Sequence, residues 1–197
     1  MNEQSDEDQE DGSHSLPIEL VTTRLKLRAP LTGDAGAIAK LANNRRIAEQ
    51  TRRMPYPFSQ GDAEQWLDKV SGGGETVFLI TGRCSGEILG AAGCGQMDET
   101  DLEVGYWIGE QYWGMGYATE AVQAVVDHVF DAGEVERLYG RCRVVNMASR
   151  RVLMKCGFQF VGSGMSDSCV LKGLVPVEEY ALERSVWVSL KRWGKAS

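Results

Sequence analysis

The run Leu102 to Ala121, LEVGYWIGEQYWGMGYATEA, holds the residue types and spacing best suited to chemistry. Gln111, Gly114 and Gly116 fall in the pattern Q-x-x-G-x-G, and two glycines so close let backbone N–H groups turn toward an anion without a Cβ in the way. The helix that follows offers N-terminal amides with no partner inside the helix, so a pyrophosphate can satisfy several at once. Two other glycine loops fail the test. A dinucleotide fingerprint requires glycine where Thr119 stands, and a P-loop requires Gly-Lys-Ser/Thr where the chain reads Gly116-Tyr117-Ala118.

The loop needs a strand before it and a helix behind it. Val104, Tyr106 and Ile108 alternate with Glu103, Gly105 and Trp107, which predicts a two-faced strand. Ala118, Ala121, Val122, Val125, Val129 and Phe130 then form one apolar face of a helix closed at Ala132-Gly133. Upstream, Ile18 to Ala29 reads as a first strand, followed by a capped helix through Ile38, Ala39, Leu41 and Ala42 to Asn43-Asn44 and another helical segment. Met54-Pro55-Tyr56-Pro57-Phe58 cannot be helical and is expected to form an ordered apolar loop. Ser59 with Asp62 caps a helix bearing Trp66, Leu67 and Val70.

Val77 to Ile80 and Ile88 to Cys94 are strands joined by a turn at Cys84-Ser85-Gly86; a turn near Asp98 to Asp101 completes an antiparallel meander with the loop strand. Leu138 to Val145 is the next strand, parallel to its predecessor because a helical crossover separates them. Asn146 opens a short helix ending at Gly157; a strand from Phe158 and a final strand over Tyr180 to Val188 close the chain. The expected fold is a mixed α/β domain over residues 18–192, with helices on both faces of the sheet.

Four segments in this order resemble the GNAT superfamily of N-acetyltransferases over roughly Leu20 to Leu190. They are the Q-x-x-G-x-G loop, Thr23-Arg24-Leu25-Lys26-Leu27-Arg28, the Met54 to Phe58 loop, and Asn146-x-x-Ser149 followed by Lys155-x-Gly157-Phe158. The last three are similar to segments of the branch that includes the RimJ and RimL acetylases of ribosomal-protein amino termini. The resemblance implies a mostly antiparallel sheet of about seven strands, splayed at an acyl-CoA site. It also implies acetyl-CoA as cosubstrate, direct attack by an amine, and no metal.

That chemistry assigns roles to residues. The backbone of Gln111, Tyr112, Trp113, Gly114, Met115, Gly116, Tyr117 and Ala118 is expected to hold the pyrophosphate, with the helix dipole adding to it. The resemblance places the oxyanion donor in the backbone of Tyr106, Trp107 and Ile108 up to Gly109, where the strand splays. Asn146 suits the amide-rich pantetheine arm, or else caps its helix. An α-amine has a pKa of about 8 and a lysine about 10.4, so the acceptor arrives protonated. Glu103, a carboxylate on an otherwise apolar strand, is the first candidate base, and Glu120 a favourable charge near the positive helix end. Ser149 matches a serine of the branch proposed to protonate the thiolate. Many GNAT enzymes carry an acidic tyrosine where this chain has Leu153. His128 reads as a surface or sheet-packing histidine rather than a base, Cys142 and Cys156 as small core residues, and Tyr112, Trp107 and Trp113 as core or as an aromatic wall.

Composition agrees with an ordinary globular domain: 197 residues, 43% hydrophobic and 25% charged. The net charge of −7 is concentrated in Met1 to Ser15, which holds six acids and no Lys or Arg, leaving 22 acidic against 21 basic side chains elsewhere. Residues 1–17 are expected to be an acidic, disordered, solubilising tail, and the balanced body gives no case for nucleic acid or a membrane surface. Five cysteines without a C-x-x-C pair and two histidines argue against a metal site. Free thiols without a signal sequence or an apolar spanning run suggest the cytosol. Three functions stay open: acetylation of a protein amino terminus, acetylation of a small amine such as an amino acid, polyamine or antibiotic, and non-catalytic acyl-CoA binding. Monomer and homodimer stay equally open.

Overall fold

The computed structural model describes residues 18–73, 75–97, 101–133 and 135–194. The acidic tail and residues 98–100 of the Asp98 to Asp101 turn lie outside the described residues. The strands are β1 Leu20–Val21, β2 Leu25–Arg28, β3 Glu75–Gly82, β4 Ile88–Gln96, β5 Leu102–Ile108, β6 Arg137–Arg143, β7 Gln159–Ser168 and β8 Gly173–Glu183. The helices are α1 Ala35–Ala42, α2 Arg45–Gln50, α3 Gln60–Ser71, α4 Tyr117–Ala132, α5 Met147–Lys155 and α6 Arg184–Gly194. One sheet runs β1-β2-β3-β4-β5-β6-β8-β7, antiparallel except for the β5–β6 pair. It has eight strands because the segment expected as one strand over Ile18 to Ala29 turns at Thr22 and pairs with itself, Leu20 opposite Leu27.

Alternation along the strands sorts side chains into two cores. Phe78, Ile80, Ala92, Cys94, Val104 and Leu138 join a cluster under α4, whose Val122, Val125 and Phe130 are fully buried. Each such side chain contributes about 1.5–3 kcal/mol of burial. Leu79 and Ala91 point the other way and pack against α1 and α3 through Ile38, Ala42, Ala63 and Leu67. Of the caps read from sequence, Ser59 and Asp62 make a reciprocal capping box on α3, whereas α1 begins after a 3-10 turn at Thr32–Asp34 with no side-chain cap bond; Asn44, read only as the end of α1, caps α2.

The carboxyl end corrects one expectation. Strand β8 stops at Glu183, and Arg184 to Val188 belongs to α6. The alternation of Val186 and Val188 fits a strand, but tertiary contacts favour the helix. Arg184 Nη2 donates to the Phe130 carbonyl at the end of α4 (3.0 Å), and Trp187 packs on Phe130 while its indole donates to Asp127 (2.7 Å).

Candidate active site

The site is built where β5 and β6 part. Among the described residues these strands pair at Leu102–Leu138 and Glu103–Tyr139 and then diverge, while β5 stays paired with β4 as far as Ile108. Gly109 N–H donates to Leu89, so odd-numbered residues of β5 bond to β4, and the antiparallel alternation turns the backbone of Val104, Tyr106 and Ile108 toward the fork. Past Glu103–Tyr139 no β6 residue pairs with them, so the Tyr106 groups in particular can bond an extended amide-bearing ligand as a neighbouring strand would. The Ile108 carbonyl is taken by the Trp113 indole N–H at 2.7 Å. A cavity of about 1180 Å3 runs through the fork and is lined from both faces of the sheet.

The glycine loop closes one end. Glu110–Tyr112 forms a single 3-10 turn, and Gly114 (φ 77°) and Gly116 (φ 81°) both adopt the left-handed conformation that favours glycine. Gly116 stands at the N-cap of α4 with no side-chain cap, so the first amides of the helix stay available to an anion. Tyr112, Trp113, Gly114, Gly116, Tyr117 and Ala118 line the cavity together with Tyr106, Trp107, Ile108 and Asn146; Gln111 and Met115 do not.

Across the fork, the Tyr106 phenol from β5 meets the Ser149 hydroxyl of α5 at 2.7 Å. Burial pushes the Tyr106 phenol far above its ordinary pKa, against the opposing pull of Ser149, so the pair is a neutral hydroxyl couple. Asn146 caps α5, its Oδ1 accepting from Ser149 N–H at 3.0 Å. Leu153 is buried in the core below. On the opposite face Glu103 stands at the apex of the fork, both of its oxygens engaged by Arg141 at 3.2 and 2.6 Å.

Residues 24–159 match a family model described as an acetyltransferase (GNAT) domain. The chain belongs to the GNAT acetyltransferases. This GNAT acetyltransferase is 28% identical over 148 residues, 73% of its own length and 83% of the other, to the uncharacterized N-acetyltransferase p20 of Bacillus licheniformis. It is 38% identical over 60 residues, 30% of its length and 34% of the other, to the ribosomal-protein-serine acetyltransferase of Escherichia coli. Among solved structures it resembles RimL, the ribosomal L7/L12 alpha-N-protein acetyltransferase in complex with coenzyme A. The TM-score is 0.74 at 23% identity, covering 84% of this chain and 98% of that one. Acetyl-CoA is the donor this GNAT acetyltransferase uses.

Several residues of this GNAT acetyltransferase escaped the sequence reading. Arg24 braces the glycine loop: its guanidinium donates to the Met115 carbonyl at 2.9 Å, stacks over Tyr117 at 4.7 Å and pairs with Glu120 at 2.7 Å. Glu120 also accepts from Thr22 Oγ1 and Arg24 N–H; burial opposes its charge, but these bonds together hold its carboxyl below the usual range. The signal was the position of Arg24 inside the Thr23 to Arg28 motif. Arg151 and Lys155 of α5 line the cavity with the start of α4 and add positive charge to that end of it. On the Glu103 side the wall carries Arg52, Arg53, Arg141 and Arg143, which no motif marked. His128, read as packing, meets Phe78 edge-on at 5.7 Å, and Cys142 and Cys156 are buried as expected.

Proposed function

We propose that this acetyltransferase modifies the α-amine of a protein amino terminus. The observation that carries this is the extent of the cavity: its volume of about 1180 Å3 covers both the glycine-loop end and a second end walled by Arg52, Met54, Phe58 and Trp66. That second end, on the α2–α3 side of the fork, is where a chain beyond the reacting amine would lie. The RimL and ribosomal-protein-serine acetyltransferase likenesses point the same way. Five free cysteines fit a reducing, cytosolic setting.

In this reading the Gly114 to Ala118 amides and the α4 dipole hold the pyrophosphate, and the pantetheine arm runs along β5, met by the Asn146 amide. The acceptor enters from the α2–α3 face, where Glu103 takes the ammonium proton. The neutral nitrogen attacks the thioester carbon, whose oxygen becomes negative and is met by backbone N–H groups of β5 at Tyr106. The C–S bond breaks, the thiolate takes the proton of Ser149, which Tyr106 holds in place, and the second proton lost by the acylated nitrogen restores the Ser149 hydroxyl, leaving the amide, the CoA thiol and the one proton on Glu103.

The test is thiol release from acetyl-CoA against a panel of peptides and small amines. Peptides turning over ahead of amino acids, polyamines and aminoglycosides is the expected result. A small amine preferred over every peptide would sink the amino-terminal reading. No turnover despite CoA binding would make the protein a binding module.

A further inference from the structure

The acceptor face carries more positive charge than its own carboxylates absorb. Arg53 pairs with Glu75 at 2.7 Å, and Arg141 occupies both oxygens of Glu103, so these four charges cancel. Arg52 is left over. Its nearest carboxylate oxygen, Glu103 Oε2, stands 3.9 Å away, and its guanidinium makes no hydrogen bond among the described residues. Arg143, beside it on the cavity wall, donates to the Glu49 carbonyl at 2.8 Å and has no ion-pair partner among the described residues. Asp167, which also lines the cavity and lies two residues before Cys169, pairs with neither.

Arg52 is also fixed in place. Its carbonyl accepts from Cys169 N–H at 3.0 Å, which ties the segment after α2 to the turn between β7 and β8, and its side chain is 35% exposed. Burial lowers the pKa of its guanidinium, and Arg141 and Arg53 repel the charge further against the pull of Glu103 and Glu75. A half-desolvated, under-neutralised guanidinium gains most from a carboxylate, which it can bind through two parallel bonds.

We propose that Arg52 recognises a carboxylate on the acceptor, so that the preferred substrate is an amino terminus whose second residue is Asp or Glu. This rests on the amino-terminal reading above. The spacing fits it. Arg52 stands 3.9 Å from Glu103 Oε2, and one residue's advance of about 3.4 Å plus the length of an Asp or Glu side chain can carry a carboxylate from an amine at Glu103 to its guanidinium.

The experiment compares kcat/KM for hexapeptides beginning Ala-Asp, Ala-Asn and Ala-Lys, with free L-aspartate as a fourth acceptor, in the wild type, Arg52→Gln and Arg52→Glu. CoA affinity and melting temperature monitor the fold of each variant. The wild type should favour Ala-Asp over its isostere Ala-Asn by roughly tenfold, one charge-assisted pair. Arg52→Gln should bring that ratio to about one, and Arg52→Glu should favour Ala-Lys. Turnover of the peptides without charge preference, or a preference that survives Arg52→Gln, overturns the inference and leaves the amino-terminal reading standing. Aspartate ahead of all the peptides, or peptides inert while other amines react, overturns both.

Discussion

The Tyr106 hydroxyl, from a strand, and the Ser149 hydroxyl, from a helix on the other side of the fork, lie 2.7 Å apart. Ser149 supplies a proton to a departing thiolate only if its rotamer is fixed, and a phenol locked in the core fixes it. Because a thiol is a fairly good leaving group, with a pKa of about 8.5, the acid is worth less here than for a poorer one. Ser149→Ala should lower kcat about tenfold, and Tyr106→Phe several-fold, with the KM for acetyl-CoA nearly unchanged. In steady-state kinetics the double variant should be no slower than Ser149→Ala, since the two act as a unit. Losses that multiply would show that the hydroxyls act independently.

Glu103 is proposed to take the proton from the incoming ammonium. Glu103→Gln should cut kcat/KM for the amine about a hundredfold near neutral pH. The deficit should shrink as pH rises past the pKa of an α-amine, about 8, because the acceptor then arrives neutral. A pH profile of both proteins decides the matter: a deficit constant up to about pH 10 would leave Glu103 with positioning alone.

Arg24 and Gly116 both act on the shape of the cofactor loop. Arg24→Gln removes the bond to the Met115 carbonyl and the pair with Glu120, and is expected to raise the KM for acetyl-CoA several-fold while kcat changes little. Gly116→Ala forces a Cβ into φ 81° and to 3.4 Å from the Arg24 guanidinium, at a cost of about 1–2 kcal/mol. Calorimetric titration with CoA should show the larger loss for Gly116→Ala. Unchanged CoA binding in both would place the pyrophosphate elsewhere.

Arg28 holds Asp34 through two bonds of 2.8 Å, and Asp34 also accepts from Leu31 N–H. The Arg28 bonds foremost keep the Asp34 carboxyl below its usual range, although burial opposes them. Since the folded pKa is lower than the unfolded one, the stabilisation is complete at neutral pH and fades as pH falls below about 4. Asp34→Asn should cost about 1–2 kcal/mol at pH 7 by urea denaturation, with the difference closing near pH 3 or lower. A difference that persists undiminished in acid would mean that Asp34 contributes through packing rather than charge.

The sequence by itself determined what short-range rules govern. The Q-x-x-G-x-G spacing marked the loop because left-handed turns favour glycine, and the caps at Ser59 and Asn146 follow from the chemistry of helix ends three residues long. The faces of β5 and α4 follow from periods of two and 3.6 residues. Tertiary structure decided what depends on distant partners. Whether Arg184 to Val188 is strand or helix turns on carbonyls more than 50 residues away at the end of α4. The first strand breaks at Thr22, where Glu120 of α4 accepts its hydroxyl proton. Glu103 could be read as a lone carboxylate on an apolar strand, but its pairing with Arg141 exists only because β6 returns parallel beside β5. Tyr106 and Ser149, 43 residues apart, meet because the fork sets α5 over β5. Local spacing thus marked the loop proposed to hold the cofactor. The charge that surrounds the acceptor arises where strands and loops from separate parts of the chain converge, and no local pattern encodes that convergence.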